Sequence, residues 1–166
     1  MKIHCRYIGA AAAGLAFAVD QISKYWIIEV FDLEEKSPIR LTPFLDLVMA
    51  WNRGISYSLF PADSPVGRWA LLAVAACAVG LLGAWLWRTQ DRITALGLGL
   101  VVGGALGNAV DRARYGAVAD FLYLHTSLPV GPLANYVFNV ADMAIVAGVA
   151  LLLYESLRSR PAATAA

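Results

Sequence analysis

The sequence predicts an all-α integral membrane protein with four transmembrane helices. Three observations predict it. Of 166 residues, 60% are hydrophobic and 15% are charged, against roughly 45–50% and about 25% in soluble domains. The apolar residues gather into four long runs with few charges, each near the roughly 20 residues a helix needs to cross a hydrocarbon layer of about 30 Å. None of the runs shows the polar–apolar alternation of a membrane β-barrel strand. The mean hydropathy of +0.63 and the balance of 13 basic against 12 acidic side chains exclude a disordered chain, a coiled coil and a strongly basic nucleic-acid binder.

The first span is read over residues 7–28, with Asp20 and Lys24 toward its far end. Residues 1–18 also have the outline of a secretory signal peptide, with Ala16-Phe17-Ala18 as a cleavage site. Three further hydrophobic runs follow, so retention as a helix is the preferred reading. The second span covers 66–87, with Arg68 its only internal charge before Trp87, and the third covers 93–110 without any. The fourth covers 137–154, with Asp142 near its start. Residues 1–166 read as one polytopic domain, with outer segments at 29–65 and 111–136 and a tight turn at 88–92.

Basic residues set the orientation. Lys2, Arg6, Arg88, Arg92, Arg158 and Arg160 crowd short segments on one side, whereas Lys36, Arg40, Arg53, Arg68, Arg112 and Arg114 are spread through longer segments on the other. Density in short loops assigns both termini to the cytoplasm. Cys5 and Cys77 are far apart along the chain, and His4 and His125 stand alone. Neither a disulfide nor a metal site is expected, and no cofactor is implied.

Ionisable residues at membrane depth are costly and point to function. Here Asp20 and Lys24 of the first span, Asn108, Asp111 and Arg112 at the end of the third, Asp120 beyond it, and Asn139 and Asp142 at the start of the fourth all fall toward the outer side. Each has a plain structural reading. Asp20 and Lys24 are one helical turn apart and can neutralise each other. Asp111-Arg112 can be an interfacial anchor, Asn139 an N-cap, and Asp120 a turn residue. Together they suggest more. Asp120 and Asp142 sit in apolar surroundings, and two neighbouring carboxylates drive their pKa values apart. One then activates water while the other donates a proton, as in aspartic proteases.

The residues also resemble a known family. Gly107-Asn108-Ala109-Val110-Asp111-Arg112 with Gly116, Val118, Asp120 and Phe121 resembles the GNxxDRxxxGxVxDF motif of lipoprotein signal peptidases (signal peptidase II), and Phe138-Asn139-Val140-Ala141-Asp142 resembles that family's FNxAD. Asp20-Gln21 with Lys24 resembles its DQxxK, and Asn52-Arg53-Gly54 its NxG. The resemblance implies an intramembrane aspartyl endopeptidase of the bacterial inner membrane. Such an enzyme works as a monomer among membrane lipids and cuts prolipoproteins before an S-diacylglyceryl cysteine. It implies Asp120 and Asp142 as the catalytic pair. Asp20, Lys24, Asn52, Gly54, Asn108, Asp111, Arg112 and Asn139 would support the pair and the substrate, with Arg112 holding the Asp111 carboxylate or a lipid headgroup. It further implies a small β-rich outer cradle, drawn largely from 39–60 with strands at 45–48 and 57–59, and a mobile helical flap within 122–136. Ile55, Ser56 and Tyr57 depart from the small residues and Phe that the family commonly shows after NxG. Without the resemblance, intramembrane Asp and Lys also suit a small proton-coupled transporter or channel component. A non-catalytic scaffold leaves the clustered carboxylates without a purpose.

Overall fold

The computed structural model describes residues 2–54, 65–125 and 135–159. Small residues determine how its helices meet. Helix α1 spans Lys2–Tyr25, and its buried positions Cys5, Gly9, Ala12, Ala16, Asp20 and Lys24 recur every three or four residues, one stripe of a helix. That stripe lies against α4 (Arg92–Tyr115), which also packs against α3 (Pro65–Arg88) and α5 (Val140–Arg158). A short helix α2 (Leu33–Lys36) lies between α1 and the sheet. Half of the apolar stretch of α4 is buried, against 6% for α3, so α4 is the hub of the helices.

Close approach to α4 depends on its glycines. A Cβ added at Gly99 would collide with the backbone oxygen of Gly9, one at Gly103 with that of Ala13, and one at Gly104 with that of Ala141. Spacing of this small-xxx-small kind lets backbones touch where no hydrophobic force drives helices together. Gly103→Val is therefore expected to prise α1 from α4 and to cost about 3 kcal/mol or more. A thermal melt in detergent micelles reads the loss, with Gly80→Val, where a side chain meets open space, as the unaffected control.

The helices beginning at Val66, Arg92 and Val140 are long and apolar enough to cross a membrane. Helix α1 is as long, at 24 residues, but among the described residues it is not one of these, because Arg6, Asp20, Gln21 and Lys24 dilute its apolar character.

The helix ends differ from the spans expected above, and three of the differences bear on the site. The first α-helix stops at Tyr25 and gives way to a π-helical turn at Trp26–Val30. The third expected span ended at 110, yet α4 continues to Tyr115, where Gly116 in the left-handed conformation (φ 78°) closes it by donating its N–H to the Arg112 carbonyl at 3.1 Å. Asp111 and Arg112 are thus helical residues. The fourth expected span began at 137, but residues 137 and 138 belong to a strand and α5 starts at Val140.

Among the described residues the segments between the helices build one antiparallel sheet in the order β1 (Ile39–Thr42), β2 (Leu45–Asn52), β3 (Val118–His125), β4 (Asn135–Phe138). The strand expected at 45–48 is present and longer. The one expected at 57–59 lies outside the described residues; β1 comes from the same segment as β2, and β3 and β4 come from the stretch between α4 and α5. Of the region expected to form the flap, 122–125 and 135–136 are strand, and 126–134 lie outside the described residues. Phe121 fixes the sheet to the helices by packing with Ile27 and Leu33, supported by Ile39, Leu47, Met49 and Val140. The register between β2 and β3 shifts between Leu47 and Ala50, and the pairing that follows sets Ala50 opposite Asp120 and Asn52 opposite Val118.

Candidate active site

That register places the first carboxylate. Residues two apart on a strand share a face, and a side chain reaches its diagonal neighbour across the pair. Asn52 lies on the face of Ala50, so its Nδ2 meets Asp120 and donates to Oδ2 at 3.2 Å. The Asn52 oxygen accepts the backbone N–H of Gly54 at 3.1 Å.

A helix start places the second. Strand β4 ends at Phe138 and Asn139 caps α5: its Oδ1 accepts the N–H of Asp142 at 3.0 Å while Asp142 Oδ2 accepts the N–H of Asn139 at 3.3 Å. This reciprocal capping box satisfies two amides that a helix start leaves without partners. The Asn139 side-chain N–H groups are left to point elsewhere. They donate to Asp120 Oδ1 at 2.6 Å and to Asn108 Oδ1 at 3.2 Å. Asn108 in turn donates from Nδ2 to Asp142 Oδ1 at 2.9 Å. One asparagine therefore touches both carboxylates, through its side chain and its backbone.

Asp120 is only 4% exposed. Burial pushes its carboxyl up to about 7, the neighbouring charge of Asp142 adds to the rise, and the hydrogen bonds from Asn52 and Asn139 and the charge of Lys24 oppose it.

Behind the pair lies an ion cluster at the C-terminal end of α1. Lys24 Nζ is 2.9 Å from Asp20 Oδ2, 2.8 Å from Asp111 Oδ2 and 3.0 Å from Asn108 Oδ1. The neutralising pair expected from the sequence is present, but it has a third member. Asp111 is no interfacial anchor. It is buried, and it also accepts the N–H of Ala119 at 3.2 Å, which ties β3 to α4. Arg112, expected at the Asp111 carboxylate or a headgroup, donates to the Gly54 carbonyl at 3.0 Å and the Asn108 carbonyl at 3.4 Å. It sits in the attractive field of Asp120, Asp142 and Asp111. Asp20 Oδ1 accepts the N–H of Ala141 at 2.9 Å, so α1 supplies a further partner to the start of α5. Gln21, absent from the expected site, donates to Asp111 Oδ1 at 3.2 Å, Asp20 Oδ2 at 3.1 Å and the Gly107 carbonyl at 3.3 Å. Its place beside Asp20 in the DQxxK run was the available signal.

The family model for Signal peptidase (SPase) II matches residues 12–158. The chain belongs to the signal peptidase II family. A lipoprotein signal peptidase of Nitrobacter hamburgensis is 54% identical over 157 residues, covering 95% of this chain and 96% of that protein. One from Beijerinckia indica is 52% identical over 157 residues, covering 95% and 92%. In fold, the protein is similar to a bacterial membrane enzyme solved by the in meso method at 2.3 Å, with a TM-score of 0.77 at 20% identity over 95% of this chain and 93% of that one. In this signal peptidase II chain the ten residues expected at the site form one connected group. Gly54 joins it through its N–H to Asn52 and its carbonyl to Arg112.

Proposed function

We propose that the protein is an intramembrane aspartyl endopeptidase that removes signal peptides from prolipoproteins, cutting before a cysteine that carries diacylglycerol. The observation that carries this reading is the pair Asp120 and Asp142, brought from a strand and a helix start and bridged by Asn139. Asp142 accepts two N–H groups at the positive end of α5, a setting that suits an ionised base. Asp120, in its apolar strand, suits the proton carrier. The Asp142 carboxylate takes a proton from water as the oxygen attacks the scissile carbonyl carbon. Asp120 then gives its proton to the amide nitrogen as the carbon–nitrogen bond breaks. The reaction leaves Asp142 protonated and Asp120 ionised, and one proton exchange restores the start.

Four spans, both termini in the cytoplasm and a site facing outward in the inner membrane accord with this role. Helix α1 serves as the fourth span, since the Asp20 and Lys24 that lower its apolar character are turned onto α4 and paired there. Water reaches a site at the outer interface, and the lipid on the substrate stays among acyl chains. The enzyme acts as a monomer.

The test is cleavage in detergent, without any gradient, of a synthetic prolipopeptide with and without diacylglycerol on its cysteine. Mass spectrometry should find a product that begins at the lipidated cysteine. No cleavage, or equal cleavage of the unlipidated peptide, overturns the reading. The rate should also fall as pH rises past about 7, because the proton that Asp120 must donate is then lost. A pH–rate profile on the same peptide checks this.

A further inference from the structure

The three asparagines around the carboxylates raise a question of direction. An asparagine amide has an acceptor end and a donor end of nearly the same shape, and only its surroundings decide which faces where. Asn52 and Asn139 are held by the backbone: the Gly54 N–H occupies the oxygen of the first and the Asp142 N–H the oxygen of the second. Both must therefore present N–H groups to Asp120. No backbone donor reaches Asn108 Oδ1 among the hydrogen bonds of the described residues. Its partners are Lys24 Nζ at 3.0 Å and Asn139 Nδ2 at 3.2 Å, and of the two only the lysine carries a charge. Turned over, the Asn108 amide would set donor against ammonium on one side and acceptor against the Asp142 carboxylate on the other.

We infer that Lys24 is a positioning residue for the carboxylate pair: its ammonium fixes the direction of the Asn108 amide, so that Asn108 donates to Asp142. Lys24 does for Asn108 what backbone amides do for the other two. Asp20 and Asp111 hold the ammonium on this line, at 2.9 and 2.8 Å. The buried ion cluster then acts on the pair by directing Asn108 toward Asp142, while its bonds to the Ala119 and Ala141 amides hold the strand and helix that carry the two carboxylates. The inference rests on the proposed roles of Asp120 and Asp142.

A double-mutant cycle tests it. Lys24→Met combined with Asp111→Asn removes the ammonium while leaving the net charge of the cluster unchanged, which guards the fold. On the lipidated peptide, this combination and Asn108→Ala should each lower kcat about 10- to 100-fold, the scale of a misplaced catalytic group, with KM within about twofold of the parent. Combining all three substitutions should give the kcat of Asn108→Ala alone, because Lys24 has nothing left to orient. Losses that multiply, or a parent-like kcat without Lys24, overturn the inference. Asn108→Asp is a second arm that leaves Lys24, Asp20 and Asp111 in place. It keeps an oxygen for Lys24 but sets an oxygen in place of the N–H against Asp142, so its kcat should fall at least as far as that of Asn108→Ala; a parent-like kcat overturns the inference. Asp120→Asn and Asp142→Asn serve as controls. Activity in either removes the reading underneath, whereas multiplying losses with both controls inactive overturn the role of Lys24 alone.

Discussion

Replacing Asp120 or Asp142 with asparagine is expected to lower cleavage of a lipidated prolipopeptide by at least about 10³-fold, the upper range for a single acid–base group, while the protein stays folded. The exchange keeps shape and removes ionisation. In the proposed mechanism, it removes at 142 the group that takes the proton from water, and at 120 the group that returns one to the leaving nitrogen. The fold tolerates it for a reason specific to each site. An asparagine at 120 turns one acceptor into a donor and loses one of the hydrogen bonds from Asn52 and Asn139. It also ends the burial of an ionisable group whose carboxyl is pushed from 3.8 to about 7. The sign of that displacement gives a second readout. A carboxyl raised in the folded state binds its proton more tightly there than in the unfolded chain. Its contribution to stability is full below 3.8 and is lost as pH rises to about 7. The melting temperature of Asp120→Asn should therefore decline less than that of the parent between pH 4 and 8. At 142, an asparagine oxygen can still accept the Asn139 N–H, so the cap of α5 survives. Cleavage by either variant near the parent rate removes the pair from the mechanism.

Lys24→Met alone is expected to be the most damaging substitution to the fold. It strands two carboxylates, Asp20 and Asp111, which are fully buried. Breaking a buried pair by deleting one partner costs roughly 3–5 kcal/mol, since the remaining charge stays in a low dielectric. The methionine fills the space, so the loss is electrostatic. Adding Asp111→Asn should recover much of the melting temperature in detergent micelles. A single variant as stable as the parent shows that the cluster contributes nothing to holding α1 against α4.

What the sequence disclosed and what it withheld follow from the range of the forces involved. Hydrophobic runs are local, so the helices at 66–87 and within 93–110 could be read directly. The motif runs single out Asn108, Asp120, Asn139 and Asp142 because each lies within a few residues of its neighbours in the motif. The end of α4 was misread because Asp111, Arg112 and Arg114 look like solvent-facing residues, and nothing nearby in the chain shows that Lys24 is the partner of Asp111. Strand β3 was missed for another reason. Residues 118–121 are buried on both faces, so the alternation that betrays a half-buried strand is absent. The diagonal contact of Asn52 with Asp120 depends on a register shift between Leu47 and Ala50, and register is a tertiary property. Gln21 lay in plain view, but its role depends on a helix almost ninety positions away.

The order of these pieces along the chain has a consequence for biosynthesis. The site draws on 20–24, then 52–54, then 108–120, and is completed only by 139–142, at the head of the final helix. A chain that ends short of Asn139 holds Asp120 with the Asn52 amide beside it, but neither Asp142 nor the amide that bridges the two. On the proposed mechanism the chain is inactive until its last helix is in place.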